Sequence, residues 1–204
     1  CDIDRDALLR AKTEIYPGRY GSWDNDIKLF EVDDAPIGGF DLIIVGTPPD
    51  THIPLARRVL EEKPKALLVE KPLSSPLATN LDKLVSEASN AAVKVFVGYD
   101  HVLAKSVQFV RDLLTEKKIG EIITFDVEFR EHWGGIFDAH PWLAGPHESY
   151  LGYTDRGGGA LCEHSHALNL WQHFAHVLGY GHIEEVQADV KYVDDTLVRY
   201  DAIA

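Results

Sequence analysis

An apolar run, Ala66-Leu67-Leu68-Val69, ends abruptly in Glu70-Lys71-Pro72. An amine at the mouth of a buried strand is costly to desolvate unless it has a partner or a task there. Glu70 is the nearest candidate partner. The plain alternative is a surface lysine beside a turn that Pro72 shapes. The second concentration of chemistry is histidine. Seven of the ten histidines lie between His132 and His176, and imidazole exchanges protons near neutral pH. Within this stretch Glu163-His164-Ser165-His166 has the His-x-His spacing and flanking acid of a metal site. A convincing third and fourth ligand are missing. His173 and His176 follow at helical spacing, but Trp171 and Phe174 between them read as a packed helix. No metal is therefore assigned.

The elements that must position these groups alternate. Asp4 caps a helix over about 5–15, with Ala7, Leu8, Ala11 and Ile15 on one face and Pro17-Gly18 to stop it. Residues 20–39 read mostly as loop with one short helix. Asp41 to Gly46 is a continuous apolar run, the sign of a strand covered on both faces. A helix over about 52–62, a strand over 65–70, a helix opened by Ser75-Pro76, a strand over 93–98 and a helix through Leu103, Val107, Val110 and Leu114 follow. This alternation predicts a doubly wound parallel sheet, with ligands at the carboxyl ends of its strands. Those ends hold Gly46-Thr47-Pro48, Glu70-Lys71-Pro72 and Gly98-Tyr99-Asp100. Ile122 to Phe129 then alternates apolar and polar residues, as an antiparallel strand with one wet face does. A long Gly-, Pro-, His- and aromatic-rich segment spans 133–156. A helix entered through Gly157-Gly158-Gly159 precedes two stretches, 183–193 and 196–203, that read as strands. The texture changes near 118–122, which divides the chain into 1–119 and 120–204.

With 20 basic against 33 acidic residues the formal net charge is -13, which argues against nucleic acid or an anionic membrane as a general partner. No apolar run is long enough to span a membrane. Two cysteines, Cys1 and Cys162, read as reduced thiols and point to the cytoplasm. The chain opens and closes as though in mid-element, and both ends read as cut.

Three features in order resemble the Gfo/Idh/MocA (glucose–fructose oxidoreductase / inositol dehydrogenase) family. They are Ile44-Val45-Gly46-Thr47-Pro48-Pro49-Asp50-Thr51-His52, then Glu70-Lys71-Pro72, then Gly157-Gly158-Gly159-Ala160-Leu161 with His166, after Ile119-Gly120-Glu121-Ile122. The resemblance covers about 41–178. It implies a Rossmann-like dinucleotide-binding domain followed by an α+β domain with an open, largely antiparallel sheet. It implies an NAD(P)-dependent oxidoreductase acting on a sugar, cyclitol or related polyol, assembled as a homo-oligomer. Lys71 then stabilises the substrate oxygen, oriented by Glu70, with a cis bond before Pro72. His166 exchanges the hydroxyl proton, with His164 as its rival. Thr47, Pro48, His52, Glu70 and Lys71 face the cofactor. Asp2 stands where such folds hold the adenosine ribose, which points to NAD, while Arg5 suits the 2′-phosphate of NADP. Tyr99, Trp142 and His164 face the substrate, with Trp133, His140 and His147 as further wall. The chain departs from the family in three respects. No G-x-G-x-x-G occurs. Where many members carry an aspartate four residues before the histidine, this chain has Cys162, with Glu163 one residue off. Asp100 and Val102 replace an asparagine and a nearby arginine. These departures keep two alternatives open: a non-catalytic dinucleotide- or sugar-sensing regulator, and a metal-dependent hydrolase using His164 and His166.

Overall fold

The computed structural model describes residues 1–203, which form two compact units, 1–39 and 40–203. In the first, helix α1 (Arg5–Arg10) is capped by the Asp4 carboxylate, which accepts the Asp6 N–H. The helix does not stop at Pro17. A π-helical segment (Ala11–Ile15) carries it into α2 (Tyr16–Tyr20), and Gly21 ends it at φ 92°. The widened turn, in which the Tyr16 N–H reaches Ala11 O, admits a proline that a regular turn would expel. Asp2 lies in this unit. Its carboxylate accepts the Asp4 N–H at 2.9 Å, and its backbone bridges to Glu31.

The second unit is organised by three parallel strands in the order β1 (Leu42–Val45), β2 (Ala66–Val69), β3 (Lys94–Val97), in register Leu42–Ala66–Lys94 through Val45–Val69–Val97. Helices α3 (His52–Leu60) and α4 (Leu81–Ala91) pack on the same face. Ile53, Ala56, Leu60, Leu84 and Ala88 close over Val45, Leu67 and Val69 as one core. Arg57 and Glu87 join the two helices through a paired contact at 2.7 and 2.5 Å. The opposite face of the sheet is open, with Leu42, Ile44 and Phe96 50–57% exposed. An apolar run therefore marked strand without marking two covered faces. Helix α4 also begins later than Ser75-Pro76 suggests. Ala78 and Asn80 have positive φ, and this breaks the first turns.

After α5 (Lys105–Thr115) the alternating stretch 122–129 has no strand partner among the described residues, and Ile123 at its start is exposed, although Phe125, Val127 and Phe129 still turn inward and Asp126 and Glu128 outward. The pattern encodes the facing of side chains, not the ladder. The long segment holds one short helix, α6 (Gly134–Ala139). The glycine run leads into α7 (Gly159–Glu163), and a turn at Ser165 separates it from α8 (His166–Val177). Strands β4 (Lys191–Asp194) and β5 (Arg199–Ile203) pair antiparallel, shorter than the two apolar stretches predicted. Among the described residues no helix is long and apolar enough to cross a membrane.

Candidate active site

The three strand ends do come together at the carboxyl edge of the parallel sheet, and α7 is laid across them. Glycine makes this approach possible. A Cβ on Gly157 would strike Pro49, one on Gly158 the carbonyl oxygens of Tyr150 and Leu151, and one on Gly159 the Asp201 carboxylate. Gly157 and Gly159 have φ of +90° and +86° as well, which favours glycine at both. Buried Asp201 of β5 fastens the segment. It accepts the Leu161 N–H at 2.6 Å and the Thr154 hydroxyl at 3.2 Å. Arg156 reaches Asp50, in the turn after β1, at 3.1 Å.

This places Glu163 on Lys71. The ammonium donates to Glu163 Oε1 at 2.8 Å and to the Glu163 carbonyl at 3.1 Å, with only 17% and 13% of the two side chains exposed. The other carboxylate oxygen accepts the Tyr150 hydroxyl at 2.8 Å. Burial, then the Glu163 charge, pushes the Tyr150 phenol far above its usual range, so it stays a donor. Glu70 is therefore not the partner of the Lys71 amine. It accepts the Lys71 backbone N–H at 3.3 Å and lies beside Gly46 and Gly98, where a Cβ on Gly98 would come within 2.9 Å of its carboxylate. The Lys71-Pro72 bond is cis. Cys162, in the place of the family's aspartate, is buried, and burial first and Asp201 next push its thiol up to about 11.

His166 opens α8 beside this pair. Its side chain is 11% exposed and its Nδ1 is buried without a hydrogen-bond partner. Burial above all, then His101 and Lys71, hold its pKa below the ordinary histidine value, against the opposite pull of Asp100 and Glu163. His164 is more fully engaged. Its Nε2 accepts the Trp133 indole N–H at 3.1 Å and its Nδ1 lies 2.9 Å from a Glu131 carboxylate oxygen. The His164 Nδ1 faces that carboxylate without meeting it in a hydrogen bond, and the Trp133 indole holds the ring, which leaves His166 as the freer base. Asp100, His101 and His166 do bring ligand atoms within 4.8 Å of one another. The two imidazoles are stacked 17° from parallel, so their in-plane lone pairs do not converge on one ion.

The remaining expected residues divide. The Tyr99 hydroxyl donates to Ser165 at 3.1 Å, so it braces the α7–α8 turn. His52 is wholly buried, with Nδ1 2.8 Å from Pro72 O and Nε2 2.5 Å from Thr47 O. It clamps the turns after β1 and β2 together and has no ring atom free for a cofactor. Thr47 is exposed and shares a 2.7 Å hydroxyl contact with Thr51; Pro48 beside it is half-buried. Trp142, 39% exposed, meets His140 edge-on at 5.2 Å. Tyr150, Glu131, His101 and Asp201 were not singled out for these roles by the sequence. Nothing in local spacing marks them, because each acts on a residue distant in the chain or on a neighbour only when folded.

Residues 18–99 match a family described as "Oxidoreductase family, NAD-binding Rossmann fold", GFO_IDH_MocA. Over that stretch the parallel-sheet part of this chain is similar to the Gfo/Idh/MocA oxidoreductases. Among the curated proteins none matches. Among solved structures, the WlbA dehydrogenase from Bordetella pertussis, in complex with NADH and UDP-GlcNAcA, is 21% identical with a TM-score of 0.55, over 84% of this chain and 45% of that one. An inositol dehydrogenase homolog from Azotobacter vinelandii, complexed with NADH and myo-inositol, is 23% identical with a TM-score of 0.50, over 69% and 33%. A levoglucosan dehydrogenase, in complex with NADH and levoglucosan, is 18% identical with a TM-score of 0.52, over 67% and 34%. At these identities the likeness is one of fold, and the chain spans between a third and a half of their length.

The residues present fit one flank of a dinucleotide. Gly46 and Thr47 are exposed at the carboxyl end of β1, and the space beside Gly46 holds nothing closer than Glu70 Cγ at 3.7 Å. No residue here supplies a glycine-rich cradle for the pyrophosphate, since no G-x-G-x-x-G occurs.

Proposed function

We propose that this chain serves an NAD(P)-dependent dehydrogenase or reductase acting on a CH–OH group of a sugar, cyclitol or related polyol. The observation that carries this reading is the meeting of Lys71, Glu163 and His166 at the carboxyl edge of a parallel sheet, where such folds bind their ligands. The match of residues 18–99 to an NAD-binding oxidoreductase family supports it.

A bound nicotinamide would supply the hydride acceptor or donor, held on one side by the turn Gly46-Thr47-Pro48 and by Glu70. The chain's own residues handle the proton and the charge. Oxidation removes a proton from the substrate hydroxyl, and His166, kept below its ordinary pKa, is the group free to take it. The Lys71 ammonium stabilises negative charge that builds on the oxygen. Glu163, with the Tyr150 hydroxyl behind it, fixes where that ammonium points, and so takes the position that Cys162 vacates. In the reverse direction His166 returns the proton. Asp2, exposed in the first unit, remains our proposed ribose ligand and the reason to favour NAD over NADP.

The test is direct. Full-length protein with NAD+ or NADP+ is offered a panel of inositols, hexoses and anhydrosugars, and reduced nicotinamide is followed by absorbance. Turnover that Lys71→Met and His166→Gln abolish supports the reading. Tight cofactor binding without turnover on any substrate, and no effect of Lys71→Met, would sink it in favour of a sensing regulator.

A further inference from the structure

The turn after β3 sets a second imidazole against the proposed proton acceptor. The rings of His101 and His166 stack with centroids 3.9 Å apart. Asp100 Oδ1 lies 3.9 Å from His101 Nε2 and 3.9 Å from His166 Nδ1. Phe129 lies nearly parallel to both rings, at 5.7 Å from His101 and 6.0 Å from His166, and Tyr99 meets His166 edge-on at 5.7 Å. His166 is thus boxed in by aromatic faces, and its buried Nδ1 finds no hydrogen-bond partner. Two imidazoles this close repel strongly when both are charged, and the apolar walls screen that repulsion poorly.

We propose that His101 is a positioning residue for His166: the stacked pair holds one proton at a time, with Asp100 as its counter-charge, and this keeps the His166 ring available to accept a proton near neutral pH. The catalytic consequence rests on the reading of His166 as acceptor; the coupling of the two rings does not. The charged groups that face His166 are Lys71 from the end of β2, Glu163 from α7, and Asp100 and His101 from the turn after β3. Arg111 of α5 acts on His173 further along α8. Lys71 and His101 disfavour a charge on His166, and Asp100 and Glu163 favour it. Removing His101 therefore makes His166 easier to protonate, and removing the Asp100 carboxylate makes it harder.

Histidine-labelled full-length protein, titrated by NMR without substrate, reads this separately from turnover. The His166 ring signals are assigned by their loss in His166→Gln. In His101→Phe, which keeps a flat ring, the His166 midpoint is expected to rise by about half a pH unit or more. In Asp100→Asn it is expected to fall. An unchanged midpoint in His101→Phe, or a rise in Asp100→Asn, overturns the proposal. If His101→Phe does not fold, His101→Gln is titrated in its place: a rise of the His166 midpoint supports the coupling, and no change or a fall overturns it. The acid limb of kcat/KM should follow the NMR midpoint. A midpoint that moves while the limb stays overturns His166 as the acceptor and leaves the ring coupling standing.

Discussion

At the scale of single residues, the Lys71–Glu163 pair decides the site. Its exposure is low enough that removing one member leaves a charge stranded. Glu163→Ala is expected to destabilise the protein by roughly 3 kcal/mol, measured by urea unfolding. Lys71→Met keeps the aliphatic stem, and is expected to lower kcat/KM by about a hundredfold or more while the cofactor still binds. A drop in affinity alone would assign Lys71 to binding. The two thiols should behave differently. Cys162 is buried with its pKa raised to about 11, and Cys1 is exposed. Alkylation at neutral pH should label Cys1 and spare Cys162 until the protein unfolds, because only the thiolate reacts. Peptide mass spectrometry after brief labelling checks this.

At the scale of elements, α7 is the part that has least choice of position. It is five residues long, too short to hold itself, and its place is set by the glycine run before it and by Asp201 beneath it. Gly159→Ala puts a methyl into the Asp201 carboxylate at a positive φ. We expect a loss of about 2 kcal/mol or more, and a larger loss of turnover than the same free energy removed from the α3–α4 core by Leu84→Val. Equal losses from both variants would show that α7 carries no special role. The same logic explains which elements were readable. Helix α3 and strands β1 to β3 are continuous apolar patterns in local sequence, and they appear where the patterns lie. The start of α4 moved because Ala78 and Asn80 adopt left-handed backbone, which no serine–proline signal reveals. Residues 125–129 kept their alternate facing without a ladder, since a ladder needs a second strand and facing does not, while Ile123 lies exposed.

At the scale of the molecule, acid should weaken the fold. His166 and His173 both have pKa values below the ordinary histidine range, burial being the first cause in each. The unfolded chain then takes up protons that the folded chain resists. Stability is complete above the ordinary value near ~6.5 and declines as the pH falls through it toward the folded values. We expect Tm to drop between about pH 7 and pH 5, and the slope to lessen in His173→Gln. A flat profile would show that neither site resists protonation. The net charge of -13 adds self-repulsion at neutral pH, which salt screens.

Sequence alone determined the parallel sheet and the three motif-bearing strand ends, because these rest on short-range hydrophobic periodicity, and it nominated Lys71 and His166 through a resemblance carried by contiguous residues. Only the tertiary structure decided the partnerships. Glu163 rather than Glu70 holds the Lys71 amine, His52 is a buried clamp rather than a cofactor ligand, His164 gives its Nε2 to Trp133 and sets its Nδ1 against Glu131, and Tyr150 and His101 join the site. Each of these contacts depends on where a chain folded through glycine-permitted close approaches sets two side chains in space. Distance in space is not encoded at any one position of the sequence.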